Sequence, residues 1–171
     1  LAIMWGDKIK GGRRIKDFVN HEDFAPTFVE AAGLPSQKEM TGKSLMNILK
    51  SEKEGLVDPE RTFTVSGLER HVWARPDGAS YGRRVIHTEE YAFIRNYNPE
   101  RWPMGGPDFK ASHQGTFGDI DAGPTKKYMM DHKDDESVRD LYKISFEKLP
   151  AEEPYNIKID PAQMVNLTDN P

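Results

Sequence analysis

The chain opens on Leu1-Ala2-Ile3-Met4-Trp5, an apolar run that predicts a buried strand of a mostly parallel sheet over residues 2–6. Polar sequence containing Gly11-Gly12 then signals a turn. Phe24, Phe28 and Ala31 recur at helical spacing, with Ala25, Val29 and Ala32 beside them, and predict a helix. Asn20 is placed to cap it, and Glu22 and Asp23 complement the dipole of its first turn. Gly33 followed by Pro35 stops it, and Pro26 inside the pattern predicts a kink or an irregular first turn. Ser44 is placed to cap a second short helix that presents Leu45, Ile48 and Leu49 on one face.

Residues 51–61 are charged and contain Gly55 and Pro59, and the period changes after them. This places a boundary between residues 1–55 and 56–171. Thr62 to Ser66 alternates like a strand. Arg84 to His87 and Tyr91 to Arg95 predict two more strands, joined by a polar loop at Thr88-Glu89-Glu90. Residues 98–127 are rich in Pro and Gly and show no period, which marks a functional or mobile stretch. A helix is predicted over 134–146, with Asp134 or Asp135 near its start and Val138, Leu141, Tyr142 and Ser145 facing inward. A last strand follows at Tyr155-Asn156-Ile157. The order predicts the end of an α/β domain joined to a small α+β subdomain with an antiparallel sheet and a packed helix.

With 171 residues, 36% of them hydrophobic and 30% charged, the chain is long enough for one domain, or for part of one plus a small subdomain. Its formal net charge of -4 argues against general nucleic-acid binding but leaves room for a local basic pocket. No apolar run approaches the roughly 20 residues of a membrane span, and no signal peptide is visible. The opening run reads as a strand already under way, so upstream polypeptide is expected. Cysteine is absent, which excludes disulfides, thiol catalysis and Cys-ligated zinc within these residues.

Several segments together resemble the sulfatase family. Asp23-Phe24-Ala25-Pro26-Thr27-Phe28 followed by Ala31-Ala32-Gly33-Leu34 is similar to the family's Asp-Leu-Ala-Pro-Thr helix ending in Ala-Gly-Leu. Thr41-Gly42-Lys43-Ser44-Leu45 resembles the Gly-x-Ser-Leu segment that comes next. Glu153-Pro154-Tyr155-Asn156-Ile157, Asp160-Pro161 and Asn166-Leu167 resemble its closing signature, with Pro154 in place of Leu and Asn156 in place of Asp. Between them, Ser66 to His71, Tyr81-Gly82-Arg83-Arg84, Tyr91 to Asn96 and Arg101-Trp102-Pro103 resemble the heparan N-sulfatase (sulfamidase) branch and its bacterial relatives.

The resemblance implies an alkaline-phosphatase-like sulfatase of which residues 1–55 end the catalytic α/β domain and 56–171 form the C-terminal subdomain. It implies a formylglycine matured from Cys or Ser in a Cys/Ser-x-Pro-x-Arg motif, and a calcium ion held by Asp and Asn. No Ser here has Pro two and Arg four positions on, and no family metal-binding run is present. Both cofactors are therefore expected outside these residues, and no catalytic residue within them. The implied substrate is a sulfated glycan, heparan-type N-sulfoglucosamine first, and the implied location is periplasmic or secreted. The residues leave open whether N- or O-sulfate is cleaved. Two other readings also stay open: a non-catalytic glycan-binding module of sulfatase origin, and another hydrolase of the alkaline phosphatase superfamily.

The candidate substrate-binding residues are Glu69, Arg70, His71 and Arg84. The first three follow a predicted strand and enter an irregular loop, where specificity residues tend to sit. Arg suits sulfate or carboxylate because its planar fork donates two parallel hydrogen bonds. Glu69 suits a sugar hydroxyl or amine, or orients Arg70. Arg84 faces either a glycan or an acidic neighbour, and His87 reads as structural. Trp102 offers a stacking surface for a sugar ring or anchors its loop. His113, Asp119, Asp121, Asp131 and His132 match no zinc or EF-hand spacing, so no metal site is expected. Lys126-Lys127 reads as a solvated pair, and Asn166-Leu167-Thr168 fits a glycosylation sequon.

Overall fold

The computed structural model describes residues 1–35, 37–111 and 114–169. The chain divides into two compact units, Leu1–Ser66 with Ile86–Glu90, and Gly67–Val85 with Tyr91–Pro171. No helix among the described residues is long and apolar enough to cross a membrane.

In the first unit, a 3-10 turn at His21–Asp23 leads into α1 (Phe24–Ala31). Asn20 Oδ1 accepts from the His21 N–H, while Asp23 Oδ2 accepts from the Asn20 N–H. The irregular entry matches the expectation from Pro26, but α1 itself is unbroken. Pro26 occupies its first turn, where a backbone N–H has no intrahelical partner to lose. Gly33 takes φ +75 just after the helix, a left-handed conformation that glycine adopts without a Cβ penalty. The second helix, α2 (Met46–Lys50), starts one residue later than a Ser44 cap would place it, although Ser44 Oγ still accepts from the Met46 N–H. The Thr27 hydroxyl donates to Asp23 O and accepts from the Leu45 N–H, tying α1 to the segment that opens α2.

Asp23 is the polar centre of this unit. Its carboxylate accepts from the N–H groups of Asn20 and Lys43 and from Arg61 Nη1 at 2.8 Å, with both side chains about 6% exposed. Arg61 Nη2 donates to Lys43 O and Ser44 O. Burial pushes the Asp23 carboxyl up, but the backbone donors and the guanidinium outweigh it and hold it below the usual carboxylate range.

Residues 1–5 do not form the strand that their apolar run predicts. They have no ladder partner among the described residues, and Leu1 and Met4 are exposed. A strand exists only where a neighbour accepts its backbone hydrogen bonds. Leu1, Ile3 and Met4 instead line an apolar trough with Phe24, Phe28 and Leu49.

Four strands form one sheet in the order β1 (Phe63–Leu68), β2 (Arg83–Thr88), β3 (Tyr91–Asn96) and β4 (Glu152–Asn156). Strand β2 extends through Thr88, so the loop to β3 is the pair Glu89-Glu90 rather than three residues. In the second unit, β3 and β4 are antiparallel, with Ala92 opposite Tyr155 and Ile94 opposite Glu153. Pro154 is tolerated because β4 is an edge strand and needs no N–H there. The inward Glu153 is buried, accepting from Asn96 Nδ2 at 2.6 Å and from the Tyr155 hydroxyl at 2.8 Å.

The packed helix is α4 (Glu136–Phe146), which buries Val138 and Phe146 at a spacing of two turns. Leu141, expected inward, is 53% exposed because it falls to the side of that stripe. Phe117 meets Phe146 edge-on at 5.0 Å and Trp102 at 5.8 Å, so Trp102 anchors its loop to the aromatic core. A further helix, α3 (Pro124–Asp131), overlaps the stretch that shows no period in sequence. It was invisible there because the one residue it buries is a lysine. Lys126 is not a solvated residue: its ammonium donates to Gln114 O, Phe117 O and Ile120 O at 2.8–3.0 Å, and burial lowers its pKa. Its neighbour Lys127 pairs with Asp131.

Replacing Asp23 by Asn should destabilise the chain by about 3 kcal/mol at pH 7, measured by urea unfolding, because it strips a buried guanidinium of its counter-charge. The folded Asp23 carboxyl lies below its unfolded value of about 3.9. Its contribution is complete above that pH and is lost as pH falls through the folded value. The D23N variant should lose less stability than the wild type between pH 5 and pH 3, part of the loss remaining through Asp58, which is shifted the same way. Superimposable pH profiles would contradict this. Lys126→Met should cost about 2–3 kcal/mol by stranding buried carbonyls, and amide exchange across residues 114–120 should accelerate. Unchanged exchange there would show that the ammonium does not hold the loop.

Candidate functional site

The segment between β1 and β2 folds back on itself through an Arg75-Pro76-Asp77-Gly78 turn. Arg75 is extended (φ -136, ψ 156), as the residue before proline prefers. Gly78 has φ +64, and a Cβ there would approach the Trp73 ring to 2.6 Å and Arg70 Nη1 to 2.9 Å. Glycine is thus required both for the turn and for the close approach. Arg70 lies over the Trp73 ring at 5.0 Å, and its Nη1 donates to Gly78 O at 2.7 Å. The Tyr81 N–H returns to Glu69 O, closing the loop.

Inside this loop the second unit holds a cavity of about 120 Å³. Glu69, Arg70 and His71 all line it, together with Arg75, Tyr81, Arg83 and Asp119. Arg84 does not line it: it pairs with Glu69 at 2.5 Å and lies over Tyr97. That is the acidic-neighbour arrangement, with the Arg84 side chain still 45% exposed. Gly82 makes room for the Glu69 carboxylate, since a Cβ there would come within 2.8 Å of Oε2. His71 Nδ1 stands 3.8 Å from Asp119 Oδ1, with its ring mostly in solvent.

The wall also includes Arg75, which no sequence pattern singled out, and Tyr81, which sequence offered only within a run of family resemblance. Arg75 is 5% exposed; Nε donates to Trp102 O, Nη2 to Pro103 O and to Asp119 Oδ2 at 2.7 Å, and the guanidinium lies over the Tyr81 ring. Its Nη1 and the Tyr81 hydroxyl are buried without a hydrogen-bond partner. Burial, reinforced by the Glu153 charge, pushes the Tyr81 phenol up to about 12, so at neutral pH it is a hydroxyl donor. Arg75 occupies an irregular loop, where neither period nor motif reports burial. The nearest sequence signal was its position before Pro76. Arg83 and Tyr81 do fall within the Tyr81 to Arg84 run of the family resemblance.

The wall offers hydrogen-bond donors and positive charge and carries no Ser, Thr or Cys nucleophile. Among the described residues, no three His, Asp or Glu side chains converge as a metal site would require. Asp119 pairs with Arg75, Asp131 with Lys127, and Asp121 accepts from Gln114, while His132 packs on Tyr128. His113 lies outside the described residues. With no cysteine, no serine in a Ser-x-Pro-x-Arg run and, among the described residues, no such carboxylate cluster, the groups present do not fit a formylglycine or a calcium ion.

Residues 1–106 match the family described as N-sulphoglucosamine sulphohydrolase, C-terminal. Two ulvan-active sulfatases of Formosa agariphila align with the whole chain, one 23% identical over 175 residues and the other 24% over 176. The chain spans 25% and 29% of the length of these curated relatives. Among solved structures, a protein in complex with its substrate D-glucosamine-2-N,6-O-disulfate covers 86% of the chain at 20% identity and TM-score 0.46, the chain covering 19% of it. A putative sulfatase from Bacteroides thetaiotaomicron covers 87% at 18% identity and TM-score 0.45, the chain covering 20% of it. The match over more than half of the chain assigns it to the sulfatases: it belongs to the N-sulphoglucosamine sulphohydrolase C-terminal family.

Proposed function

We propose that this chain is the part of a glycan sulfatase that shapes the sugar end of the substrate cavity, and that the glycan is heparan-type, carrying N-sulfoglucosamine. The observation that carries this is the cavity itself. Its wall collects Glu69, Arg70, His71, Arg75 and Arg83, and all of its lining residues except Asp119 fall inside the segment that matches the family. Charged forks and a carboxylate at the mouth of a small cavity suit a sulfated sugar, whose anionic and hydroxyl groups need both. In this reading the bond-breaking groups, formylglycine and calcium, belong to polypeptide outside these residues. Binding here raises efficiency by positioning the sugar. The apolar trough of Leu1, Ile3, Met4, Phe24 and Phe28 is then the surface on which that catalytic polypeptide packs. A periplasmic or secreted location accompanies this reading.

Calorimetric titration of the chain with an N-sulfated heparan disaccharide should show tighter binding than with its N-acetylated counterpart. Arg70→Ala should weaken that binding about tenfold, the loss of one charge-assisted contact. The same chain should release no sulfate from a chromogenic sulfate ester. A flat isotherm with both disaccharides would overturn the binding role, and turnover by the chain alone would overturn the placement of the catalytic groups.

A further inference from the structure

We infer that the buried wall of this cavity is a subsite for a single oxyanion, a sulfate or carboxylate substituent of a sugar, which accepts hydrogen bonds from Arg75 Nη1 and the Tyr81 hydroxyl while Arg70 and Arg83 supply charge. The subsite deepens the proposed glycan-binding role, although its physical basis lies in the cavity alone.

Unpartnered donors carry the argument. Leaving a buried donor without an acceptor is costly, so proteins rarely do it where no partner is meant to arrive. Arg75 and Tyr81 are 5% and 4% exposed, both line this one cavity, and each has a polar atom with nothing to donate to. Arg75 is otherwise fully engaged. Its remaining nitrogens are held by Trp102 O, Pro103 O and Asp119, which fixes the orientation of the free one. A rigid guanidinium with a spare N–H is a preorganised anion contact.

Charge and size narrow the occupant. The carboxylates that line the cavity are both answered: Asp119 by Arg75 and Glu69 by Arg84. No described carboxylate lies within ion-pair distance of the guanidinium of Arg70 or Arg83, so the cavity retains uncompensated positive charge. Its volume of about 120 Å³ corresponds to roughly four water molecules and is well below the roughly 300 Å³ at which pockets begin to take whole ligands. The cavity therefore admits a substituent and leaves the sugar ring at its mouth. Water alone would satisfy the donors but would not answer the charge.

Titration of the chain with glucose 6-sulfate, glucuronate and glucose tests this. The sulfate or the carboxylate sugar should bind and glucose should not; whichever oxyanion binds more tightly identifies the substituent. Tyr81→Phe removes only the unpartnered hydroxyl. Were that hydroxyl merely buried, the change would leave affinity untouched. The subsite requires a loss of about five- to tenfold with no fall in the melting temperature of the free chain. Arg83→Gln should weaken the same ligand by a similar factor. Equal affinity for glucose, no binding of either oxyanion, or unchanged affinity in Y81F would overturn the subsite. If the N-sulfated heparan disaccharide binds but Y81F and R83Q do not weaken it, the subsite falls and the glycan role stands. If the oxyanion sugars bind as described but the disaccharide does not, the subsite stands and that role falls.

Discussion

The second unit is organised around a guanidinium that lies inside the protein. Arg75 reaches Asp119 across forty-four positions of sequence and holds the carbonyls of Trp102 and Pro103 on the way. Those contacts join two irregular segments that have no ladder to align them. A buried charge of this kind contributes little net stability once desolvation is counted. It does impose one geometry, because any shift of either loop would leave an ion unpaired in a poorly hydrated interior. The cavity exists between the segments that this pair brings together, so its shape follows from the ion pair. Gly105 belongs to the same constraint: a Cβ there would stand 2.7 Å from Ala74 O, across the approach of the two loops.

The first unit solves a similar problem differently. Asp23 and Arg61 are also buried and paired, and backbone groups at both ends of the pair take up most of the remaining hydrogen-bonding capacity, although Arg61 Nε, 3.5 Å from Asp58, has no hydrogen-bond partner. That network fixes the entry to α1 and the turn before α2. In the second unit Arg75 Nη1 and the Tyr81 hydroxyl are without partners, on two residues that line the same cavity. The Lys126 ammonium likewise holds three loop carbonyls at once.

Much of this architecture is written in periodicity. Helix α1, its Asn20 entry and its Gly33 exit follow from apolar spacing and end residues, and β2, β3 and α4 follow from alternation and a helical stripe. Periodicity reports only elements that bury an apolar face. It therefore missed α3, whose buried residue is Lys126, and it misplaced Leu141, which lies at the edge of the α4 stripe. It also predicted a strand at residues 2–6, since an apolar run shows the wish for burial but not the presence of a pairing neighbour. Glu69, Arg70 and His71, where the family resemblance and the loop position coincide, do line one cavity. Arg84 carried the same charge and the same resemblance but faces Glu69, a fact of strand register and side-chain direction. Arg75 and Tyr81 were not legible as a pair, because their burial depends on contacts with Trp102, Pro103 and Asp119, far along the chain.

A crystal structure of the chain with a bound N-sulfated glucosamine disaccharide tests the central claim most directly. The account places an anionic group of the sugar inside the cavity, within 3.2 Å of both Arg75 Nη1 and the Tyr81 hydroxyl, at ordinary hydrogen-bond distance. A disaccharide bound along the apolar trough of the first unit, or a cavity filled with water beside an occupied site elsewhere, would contradict it.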